Sequence, residues 1–427
     1  MGKNGGDKAK GKTPMLDELK GGPWPSFMDD LENLAKRKPV VEQLLGQLEQ
    51  SYQDRWNYWQ GTVLNVPGYG GGVIARLSDL TDKYPKLNQF HTIRVIAPSG
   101  FVYSTKALRN LCDITEKHGA GIVQLHGMTG DILLLGYNDE QTYETAEDLM
   151  DAGWDIGGSG PALRTLACCI GPARCEMSCY DTLSLTKHIT DKYISELHRP
   201  EFAYKFKFKL SGCANDCANS MQRSDMPIIG TWRGPMQIDQ EEVGKFIDEH
   251  SEKLVYEQVL SMCPTKCITL EDRKIVVESD DCVHCMHCIN VMHKALAVGK
   301  DKGVTILLGG KRTLKIGDTM SAVLVPFMKV ESEKDWGKIT DLVDTIWEFW
   351  NDNANEHERI GEFVARIGLA TFLKGVGIEP DPNMINRPRI SPYIRFEEYG
   401  AAPRLGGEQK KEVRVLNKDK ETMESVS

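Results

Sequence analysis

The chain has 427 residues and 41% hydrophobic content, so it can bury sizeable cores, and its length predicts roughly two to four domains. Its net charge of −9 and pI of about 5.7 leave no basic surface for a phosphate backbone, and we expect no nucleic-acid partner. The N-terminal segment is polar and basic, and a run of about eighteen apolar residues occurs nowhere. These features predict a cytoplasmic protein without a membrane span.

The N-terminal part of the chain predicts one long helix followed by a layered unit. Residues 1–13 are rich in Gly and Lys and are predicted to be disordered. Apolar residues recur at helical spacing from Pro39 to Trp59, which is typical of an amphipathic helix. Helical and extended segments then alternate, with one helix ending at Gly153, which indicates an α+β domain. Within it, Cys112 stands alone at helical spacing and is predicted to be a buried, small apolar side chain.

The cysteines are concentrated in one part of the chain. Eleven of the twelve lie between positions 168 and 288. A long chain without a secretory signal has little need of disulfides, so this clustering favours metal ligation. The stretch 238–300 is acidic and rich in cysteine, and long amphipathic helices follow it. We interpret this stretch as an inserted module.

The inserted stretch contains the motif CVHCMHC, which places Cys282, Cys285 and Cys288 at C-x2-C-x2-C spacing. Such a run curls one short loop around three irons of a four-iron cluster, and the fourth ligand comes from elsewhere. Bacterial two-cluster ferredoxins continue the run with a Cys-Pro, but Met292 occupies that place here. Upstream, Cys263 precedes a proline and resembles the Cys-Pro of a first half whose own triplet is missing. The spacing therefore predicts one [4Fe-4S] cluster on these four cysteines.

Zinc is the main alternative, since four cysteines can also close a tetrahedral structural site. Zinc sites usually use cysteine pairs, whereas a triplet followed by an apolar turn favours a cubane. Cys267 fills a position that is normally small and apolar, and we expect a packed free thiol there. Three nearby histidines, at 284, 287 and 293, are expected to be ordinary solvated side chains.

A second cysteine group lies in LACCIGPARCEMSCYD and, about forty residues later, in SGCANDC, and it allows several sets of four ligands. Cys169 and Cys175 have C-x5-C spacing, and Cys213 and Cys217 have C-x3-C spacing. This combination resembles the cluster site of the sirohaem sulfite and nitrite reductases, and the resemblance implies that Cys217 bridges the cluster to the sirohaem iron. The doublet Cys168-Cys169 departs from the family pattern, but only Cys169 preserves the spacing to Cys175.

The resemblance narrows to the alpha subunits of dissimilatory sulfite reductases through GPWPSF, GYGGGVI, HGMTGDILLLG, AYKFKFK, IGTW and CVHCMHCINVM, and it covers residues 14–400. It implies an α+β fold: the sirohaem sulfite/nitrite reductase fold of mixed sheets and helices, with an inserted ferredoxin-like [4Fe-4S] domain. The implied division is an N-terminal arm and helix (1–60), a ferredoxin-like half domain (61–160), a sirohaem and [4Fe-4S] domain (161–237 plus 304–427) and the inserted ferredoxin domain (238–303).

A row of lysines precedes the second half of this cysteine group. Lys205, Lys207 and Lys209 alternate with large apolar residues, so a strand would place them on one face, about 6.6 Å apart. An exposed strand edge protected by lysines is the alternative, but this strand leads directly to Cys213. The row is therefore predicted to neutralise anions, namely the carboxylates of a sirohaem and sulfite itself.

The resemblance also implies roles for two arginines. Arg94 and Arg164 occupy positions similar to those of the substrate arginines of the family, and a guanidinium suits a trigonal oxyanion because it donates two hydrogen bonds in fixed geometry. With the three lysines they are expected to be catalytic and cofactor-binding residues. The family further implies that these five side chains face the sirohaem associated with the beta subunit's cluster.

The implied function is the six-electron interconversion of sulfite and sulfide at a sirohaem coupled to a [4Fe-4S] cluster. The implied cofactors are sirohaem, or iron-free sirohydrochlorin, and two [4Fe-4S] clusters. The implied partners are a beta subunit in an alpha2beta2 assembly, a small sulfur-carrier protein with C-terminal cysteines, and an external electron donor. The alternatives are an enzyme of the same class that works in the oxidative direction, a nitrite reductase, and a non-catalytic electron carrier of the polyferredoxin type.

Four glycines, at 68, 70, 71 and 72, suggest a phosphate-binding loop. Neither G-x4-G-K-[ST] nor G-x-G-x-x-G is present, so that interpretation has no support. We expect instead that the backbone here approaches the macrocycle or another subunit closely.

Overall fold

A computed structural model describes residues 13–64, 71–127, 129–313, 317–382, 384, 389–390, 413–417 and 422–426. The predictions for residues 1–12 and for Gly68 and Gly70 lie outside this range. None of the helices in the described part combines the length and apolar character needed to cross a membrane.

Three helices open the chain: α1 (Pro14–Asp17), α2 (Phe27–Ala35) and α3 (Pro39–Asp54). The Ser26 side chain caps α2 by accepting a hydrogen bond from the backbone N–H of Met28. The helix predicted to reach Trp59 ends earlier, because Arg55 adopts the left-handed conformation with φ of 53°. Trp59 instead begins the first strand.

The first sheet contains β1 (Trp59–Leu64), β2 (Val73–Ser78), β3 (His91–Val95), β4 (Ile122–Leu125) and β5 (Ile132–Tyr137). Its strand order is β1-β2-β3-β5-β4, and all neighbouring pairs are antiparallel. Two helices accompany it, α4 (Thr105–His118) and α5 (Asp139–Asp151). A capping box of Asn138 and Gln141 starts α5, and Gly153, with φ of 82°, follows its end as predicted.

The prediction for Cys112 is wrong, because this side chain is exposed on α4. Leu111, Ile114 and Thr115 are the buried residues of the helix. An α-helix turns by about 100° per residue, so the face that carries these residues excludes Cys112.

The chain then builds the first half of a second sheet. Its elements are β6 (Ala167–Cys168), α6 (Thr182–Lys192), α7 (Ile194–His198), β7 (Phe208–Ser211), α8 (Ser220–Arg223) and β8 (Met226–Arg233). Strand β7 pairs with β6 on one side and β8 on the other, and both pairs are parallel. The two cysteine segments therefore follow neighbouring strands of one sheet.

The inserted stretch follows β8. It contains β9 (Gln237–Ile238), α9 (Gln240–His250), α10 (Glu252–Val255) with a π-turn (Tyr256–Leu260), β10 (Ile268–Glu271), β11 (Lys274–Val277), α11 (His287–Val291) and β12 (Leu296–Ala297). Strands β9 and β12 pair and bring the two ends of the stretch together. Its core is continuous with the main body, because Cys179, Cys213 and Trp232 pack in the same cluster of buried side chains.

The C-terminal part completes the second sheet. It contains β13 (Asp301–Leu308), β14 (Lys311–Thr313), β15 (Gly317–Met320), β16 (Ala322–Met328), α12 (Glu333–Asn353), α13 (Ile360–Ile367), α14 (Leu369–Gly375), β17 (Arg389–Ile390), β18 (Val413–Asn417) and β19 (Thr422–Val426). The sheet order is β16-β13-β8-β7-β6. Strand β7 thus lies in the interior of the sheet, where both of its edges are paired.

The largest core lies between this sheet and α12. Phe206, Phe208 and Leu210 are completely or almost completely buried there, and Trp347 and Trp350 pack against Phe206. Burial of about 150–250 Å² by each aromatic side chain contributes strongly to stability. The same packing fixes which face of the segment before Cys213 turns away from the core.

Candidate functional site

The lysine row lies on the face of its segment opposite to the aromatic core. Only residues 208–211 form a regular strand, although Phe206 makes a further bridge to Leu163. Since Phe206, Phe208 and Leu210 point into the core, Lys205, Lys207 and Lys209 point to the other face. The paired position of β7 rules out the interpretation as an exposed strand edge.

The three ammonium groups are poorly solvated. Burial lowers the pKa of Lys205 to about 8, that of Lys207 to about 7 and that of Lys209 to about 8. Arg164 adds to the effect on the pKa of Lys205 and Arg359 to that of Lys207, whereas Asp216 opposes it for Lys209. Lys209 also donates a hydrogen bond of 2.8 Å from Nζ to the carbonyl of Ala218, beside the cysteine loop.

Arg94 lies on β3 and is buried. Its Nη2 forms an ion pair with Asp131 Oδ2 and donates to Thr129 Oγ1 at 3.3 Å. Thr129 also hydrogen-bonds to Asp131, and His126 Nδ1 lies 2.6 Å from Thr129 Oγ1. Burial, followed by the charge of Arg94, lowers the pKa of His126, and Lys207 and Lys209 act in the same direction. A polar chain thus links a half-exposed histidine to the buried guanidinium.

Arg164 is buried close to the same charges. Its Nη1 donates to the carbonyl oxygens of Gly160 and Ala162 at 2.6 and 3.4 Å. Burial lowers the pKa of Arg164 to about 9, with a further contribution from Arg94, and the guanidinium still remains charged at neutral pH. The two predicted arginines and the lysine row therefore belong to one electrostatic site.

Sequence reasoning missed the buried pair of Asp225 and Arg359. Arg359 donates from Nε and Nη2 to the two carboxylate oxygens of Asp225 at 2.7 and 2.6 Å. Arg359 lowers the pKa values of Lys205 and Lys207, whereas Asp225 raises them. Sequence spacing carries no signal for this pair, because the partners are 134 positions apart. His126, Thr129 and Asp131, in contrast, all lie in the motif HGMTGD, which carried part of the family resemblance.

The first cysteine group surrounds the loop after β7. Burial raises the pKa values of Cys213 and Cys217, and the nearby Cys169 and Cys175 thiols raise both further. Cys213 and Cys217 therefore lie within electrostatic range of Cys169 and Cys175. The backbone N–H of Gly212 donates to Cys169 Sγ at 3.1 Å, which is a contact that cluster-bound sulfur atoms accept.

The neighbouring Cys168 has a different environment. It is 5% exposed and packs in the main core with Tyr180 and Leu210. Successive residues of a strand point to opposite faces, so the core that receives Cys168 leaves Cys169 to face the other thiols. The structure thus supports Cys169 over Cys168 as the ligand.

Close packing around the cysteine loop requires glycine at one position above all. A Cβ atom on Gly230 would lie 2.0 Å from the carbonyl oxygen of Gly212. Gly71 and Gly72 also make close contacts within the chain, and their approach to the macrocycle or another subunit stays a prediction. Their Cβ positions would meet the Leu197 carbonyl at 2.6 Å and the Ile156 side chain at 2.8 Å, respectively.

The second cysteine group lines a pocket with about 370 Å³ of empty space, part of it open to solvent. Cys263, Cys282, Cys285 and Cys288 all lie in its wall, and so does Cys267. Cys263 Sγ lies 3.7 Å from Cys267 Sγ and 3.8 Å from Thr265 Oγ1. Cys267 is buried, as expected, but it contacts a predicted ligand.

The position that a further cysteine would fill in a two-cluster ferredoxin is occupied by an apolar side chain. Met292, the residue in place of a further cysteine, is 1% exposed and packs in the module core.

The expectation of solvated histidines fails for His284. Its ring stacks on buried Trp232 with centroids 4.2 Å apart and 28° between the planes, and burial lowers its pKa. His287 has its Nε2 2.7 Å from the Gln258 carbonyl oxygen, and His293 is exposed.

The residues fit the groups that the sequence implies. Buried donor atoms without a partner, Arg94 Nε and Arg223 Nε, occur near the lysine row. Unpaired buried donors and desolvated cations are costly unless an anion satisfies them. A carboxylate-rich tetrapyrrole and an oxyanion meet this requirement. The two groups of cysteines supply the thiolate ligands that two [4Fe-4S] clusters need.

Comparisons with known proteins show which family this chain resembles. The model of the nitrite and sulphite reductase 4Fe-4S domain matches residues 159–382, and that of the nitrite/sulfite reductase ferredoxin-like half domain matches residues 83–152. The dissimilatory-type sulfite reductase subunit alpha of Allochromatium vinosum is 48% identical over 400 residues, 92% of this chain and 96% of that protein. The corresponding subunit of Nitratidesulfovibrio vulgaris is 40% identical over 418 residues, 91% and 95% of the two chains.

The chain is also similar to a solved structure and to subunits of a second type. A crystal structure of dissimilatory sulfite reductase I matches with a TM-score of 0.81 and 37% identity, over 93% of this chain and 97% of that one. Subunits named beta are among the relatives, and that of Archaeoglobus fulgidus is 25% identical over 350 residues, 78% of this chain and 88% of that protein.

Proposed function

The chain belongs to the family of dissimilatory-type sulfite reductase alpha subunits, and from this membership we propose how its own residues serve the six-electron interconversion of sulfite and sulfide. It is the subunit of an oxidoreductase, and its fold is the α+β fold of the nitrite and sulfite reductases. The family uses sirohaem and [4Fe-4S] clusters as cofactors.

We propose that Cys169, Cys175, Cys213 and Cys217 would hold one [4Fe-4S] cluster and that Cys217 would also be the residue that links it to a bound sirohaem. The electrostatic influence between these thiols and the core position of Cys168 support this set. A second cluster is held by Cys263, Cys282, Cys285 and Cys288, which is supported by their common pocket.

The basic residues are proposed to bind and orient anions. Sirohaem, when bound, supplies an iron that binds sulfite and transfers electrons to it. Arg94 and Arg164 donate pairs of hydrogen bonds to sulfite oxygens, while Lys205, Lys207 and Lys209 neutralise sulfite and the cofactor's carboxylates. Lys207 can also donate a proton at neutral pH, since its pKa is lowered to about 7.

The single observation that carries this proposal is the desolvated lysine row on the segment that leads into and includes the interior strand β7. A non-catalytic electron carrier has no use for three poorly solvated cations beside two buried arginines. Charges of this kind are retained where an anion compensates them.

The test is the pigment and metal content of the purified assembly. We expect the absorption bands of an isobacteriochlorin, a tetrapyrrole in an acid extract, and iron and acid-labile sulfide sufficient for two clusters per chain. An iron–sulfur shoulder without tetrapyrrole bands would overturn the proposal. Steady-state rates with sulfite, nitrite and sulfide then distinguish the reductive enzyme from its oxidative and nitrite-reducing alternatives.

The assembly is also part of the proposal. We propose an alpha2beta2 complex in the cytoplasm, with the five basic residues facing the sirohaem of the beta subunit's cluster; the similarity to subunits named beta supports a beta partner. The further proposed partners of this complex are a small sulfur-carrier protein with C-terminal cysteines and an external electron donor. Full activity from the isolated alpha chain would contradict this arrangement. The four-part domain division predicted from the sequence is retained as part of the same proposal.

A further inference from the structure

The two cysteine groups are joined by a direct contact between their loops. Asn215 lies between Cys213 and Cys217, and Asn290 follows Cys288 by two positions in α11. The two side-chain amides bond reciprocally: Asn215 Nδ2 donates to Asn290 Oδ1 at 3.0 Å, and Asn290 Nδ2 donates to Asn215 Oδ1 at 2.6 Å. Two antiparallel hydrogen bonds fix both the distance and the relative orientation of the loops.

A second contact joins the same two regions from the interior. Trp232 is the penultimate residue of β8, the strand that pairs with β7, and this side chain is 2% exposed. Its ring stacks on His284, which lies between Cys282 and Cys285. Trp232 also lines the pocket of the second cysteine group and packs in one core with Cys213.

We propose that Asn215 and Asn290 are positioning residues that set the separation of the two cluster loops, with the stacked pair of Trp232 and His284 as the interior anchor. This inference rests on the ligand sets of the proposed function. Clusters held in these loops would exchange single electrons, the one site losing the electron that the other gains, and the separation set by the loops would govern the rate of this exchange. The chain's contribution is the fixed distance and orientation of the two loops.

The anchor and the amide pair act differently. Trp232 contributes buried area, so its removal disturbs the common core. The asparagines lie at the surface of the described chain and contribute little buried area, which makes their substitution compatible with folding. A substitution at Asn290 therefore tests the relative position of the two loops rather than the stability of the fold.

The experiment uses the complete, cluster-loaded assembly and the variant Asn290→Leu. Pulsed electron paramagnetic resonance of the fully reduced protein measures the magnetic interaction between the two sites, and amide hydrogen exchange follows residues 213–217 and 285–291. We expect a broadened distribution of the interaction and about tenfold faster exchange in both loops, since two hydrogen bonds are lost. Asn290→Asp keeps the hydrogen bond that Asn215 donates, so both the magnetic interaction and the exchange rate should be intermediate.

Controls separate the possible outcomes. Asn33→Leu makes the same change on α2, where Asn33 accepts a bond from Lys36, and should alter neither readout. Asn215→Leu combined with Asn290→Leu should behave like either single variant, because the partners share one interaction. An unchanged magnetic interaction and unchanged exchange in Asn290→Leu would overturn the inference. Iron and sulfide counts below two clusters in the unaltered protein would instead overturn the ligand sets.

Discussion

Asp131 holds the guanidinium of Arg94 in a buried ion pair, and the register of the first sheet places the two side chains together. Arg94 lies on β3 opposite Leu133 of β5, and Asp131 directly precedes β5. Thr129 hydrogen-bonds to both partners. The arginine that the resemblance assigns to substrate is therefore fixed in direction before any anion binds.

Replacing Asp131 with Asn should impair catalysis more than it impairs folding. Asparagine keeps the shape but removes the charge that orients Arg94, and loss of such a supporting partner costs about 10- to 100-fold in activity. We expect a lower kcat/KM for sulfite in the complete assembly. Asp191→Asn removes an exposed pair with Lys187 and serves as the control. Equal kinetics of both variants would show that Arg94 needs no support.

Anion binding should weaken as pH rises, because the lysine row loses its charge. The pKa of Lys207 is lowered from 10.5 to about 7, and those of Lys205 and Lys209 to about 8. An anion favours the charged forms, so the Kd for sulfate, whose own charge is constant here, should increase between about pH 7 and pH 9 by up to tenfold per pH unit for each titrating lysine. Titration calorimetry measures this dependence.

The same shifts predict the stability of the anion-free chain. Between about pH 7 and 10.5 the unfolded chain binds more protons at Lys207 than the folded chain does, so the free energy of unfolding rises with pH.

Lys207→Arg is the matched control for sulfate binding. Because arginine stays charged, the slope of log Kd for sulfate against pH should be smaller by one in this variant. A sulfate affinity that is flat across this range in the unaltered assembly would contradict the assignment of the row to anions.

The cysteine doublet can be resolved by two substitutions. Cys168→Ala should retain the cluster, since Cys168 packs in the core and a smaller side chain there costs only stability, on the order of 1 kcal/mol. Cys169→Ala should lose it. Iron and sulfide counts with the electron paramagnetic resonance spectrum report both results, and the reverse pattern would assign the ligand to Cys168.

Cys267 should tune the second cluster without binding it. Its Sγ contacts Cys263 Sγ at 3.7 Å, and hydrogen bonds to cluster sulfurs raise the reduction potential. Cys267→Ala should keep the cluster and lower its potential by about 40 mV, the equivalent of roughly 1 kcal/mol for one electron. Redox titration measures the shift. Thr265→Val removes the other contact and should act in the same direction. Loss of the cluster in Cys267→Ala would make Cys267 a ligand.

Local spacing was sufficient to predict the chemistry of the cysteines and the faces of the lysine segment. The C-x2-C-x2-C run and the alternation around Phe206 and Phe208 both depend on near neighbours in the chain. The Asp225–Arg359 pair depends on contacts between distant segments, which no local pattern encodes. The stacking of His284 was not predicted for the same reason, since its partner Trp232 lies 52 positions away in the sequence.

The error at Cys112 arose where a correct local pattern met a different environment. Cys112 has helical spacing, but the buried residues of its helix lie on another face. The spacing predicted the helix, but it did not indicate on which side of the buried face Cys112 would lie.

The continuous core of the inserted stretch limits how this module can be exchanged between relatives. Cys179, Cys213 and Trp232 supply part of its interior, although all three lie outside residues 238–300. A segment transplanted at the paired ends, β9 and β12, would leave that apolar surface unfilled or wrongly matched. A functional chimaera must therefore carry the cysteine loops and the end of β8 together with the module, so the smallest inheritable unit is larger than the insertion seen in the sequence.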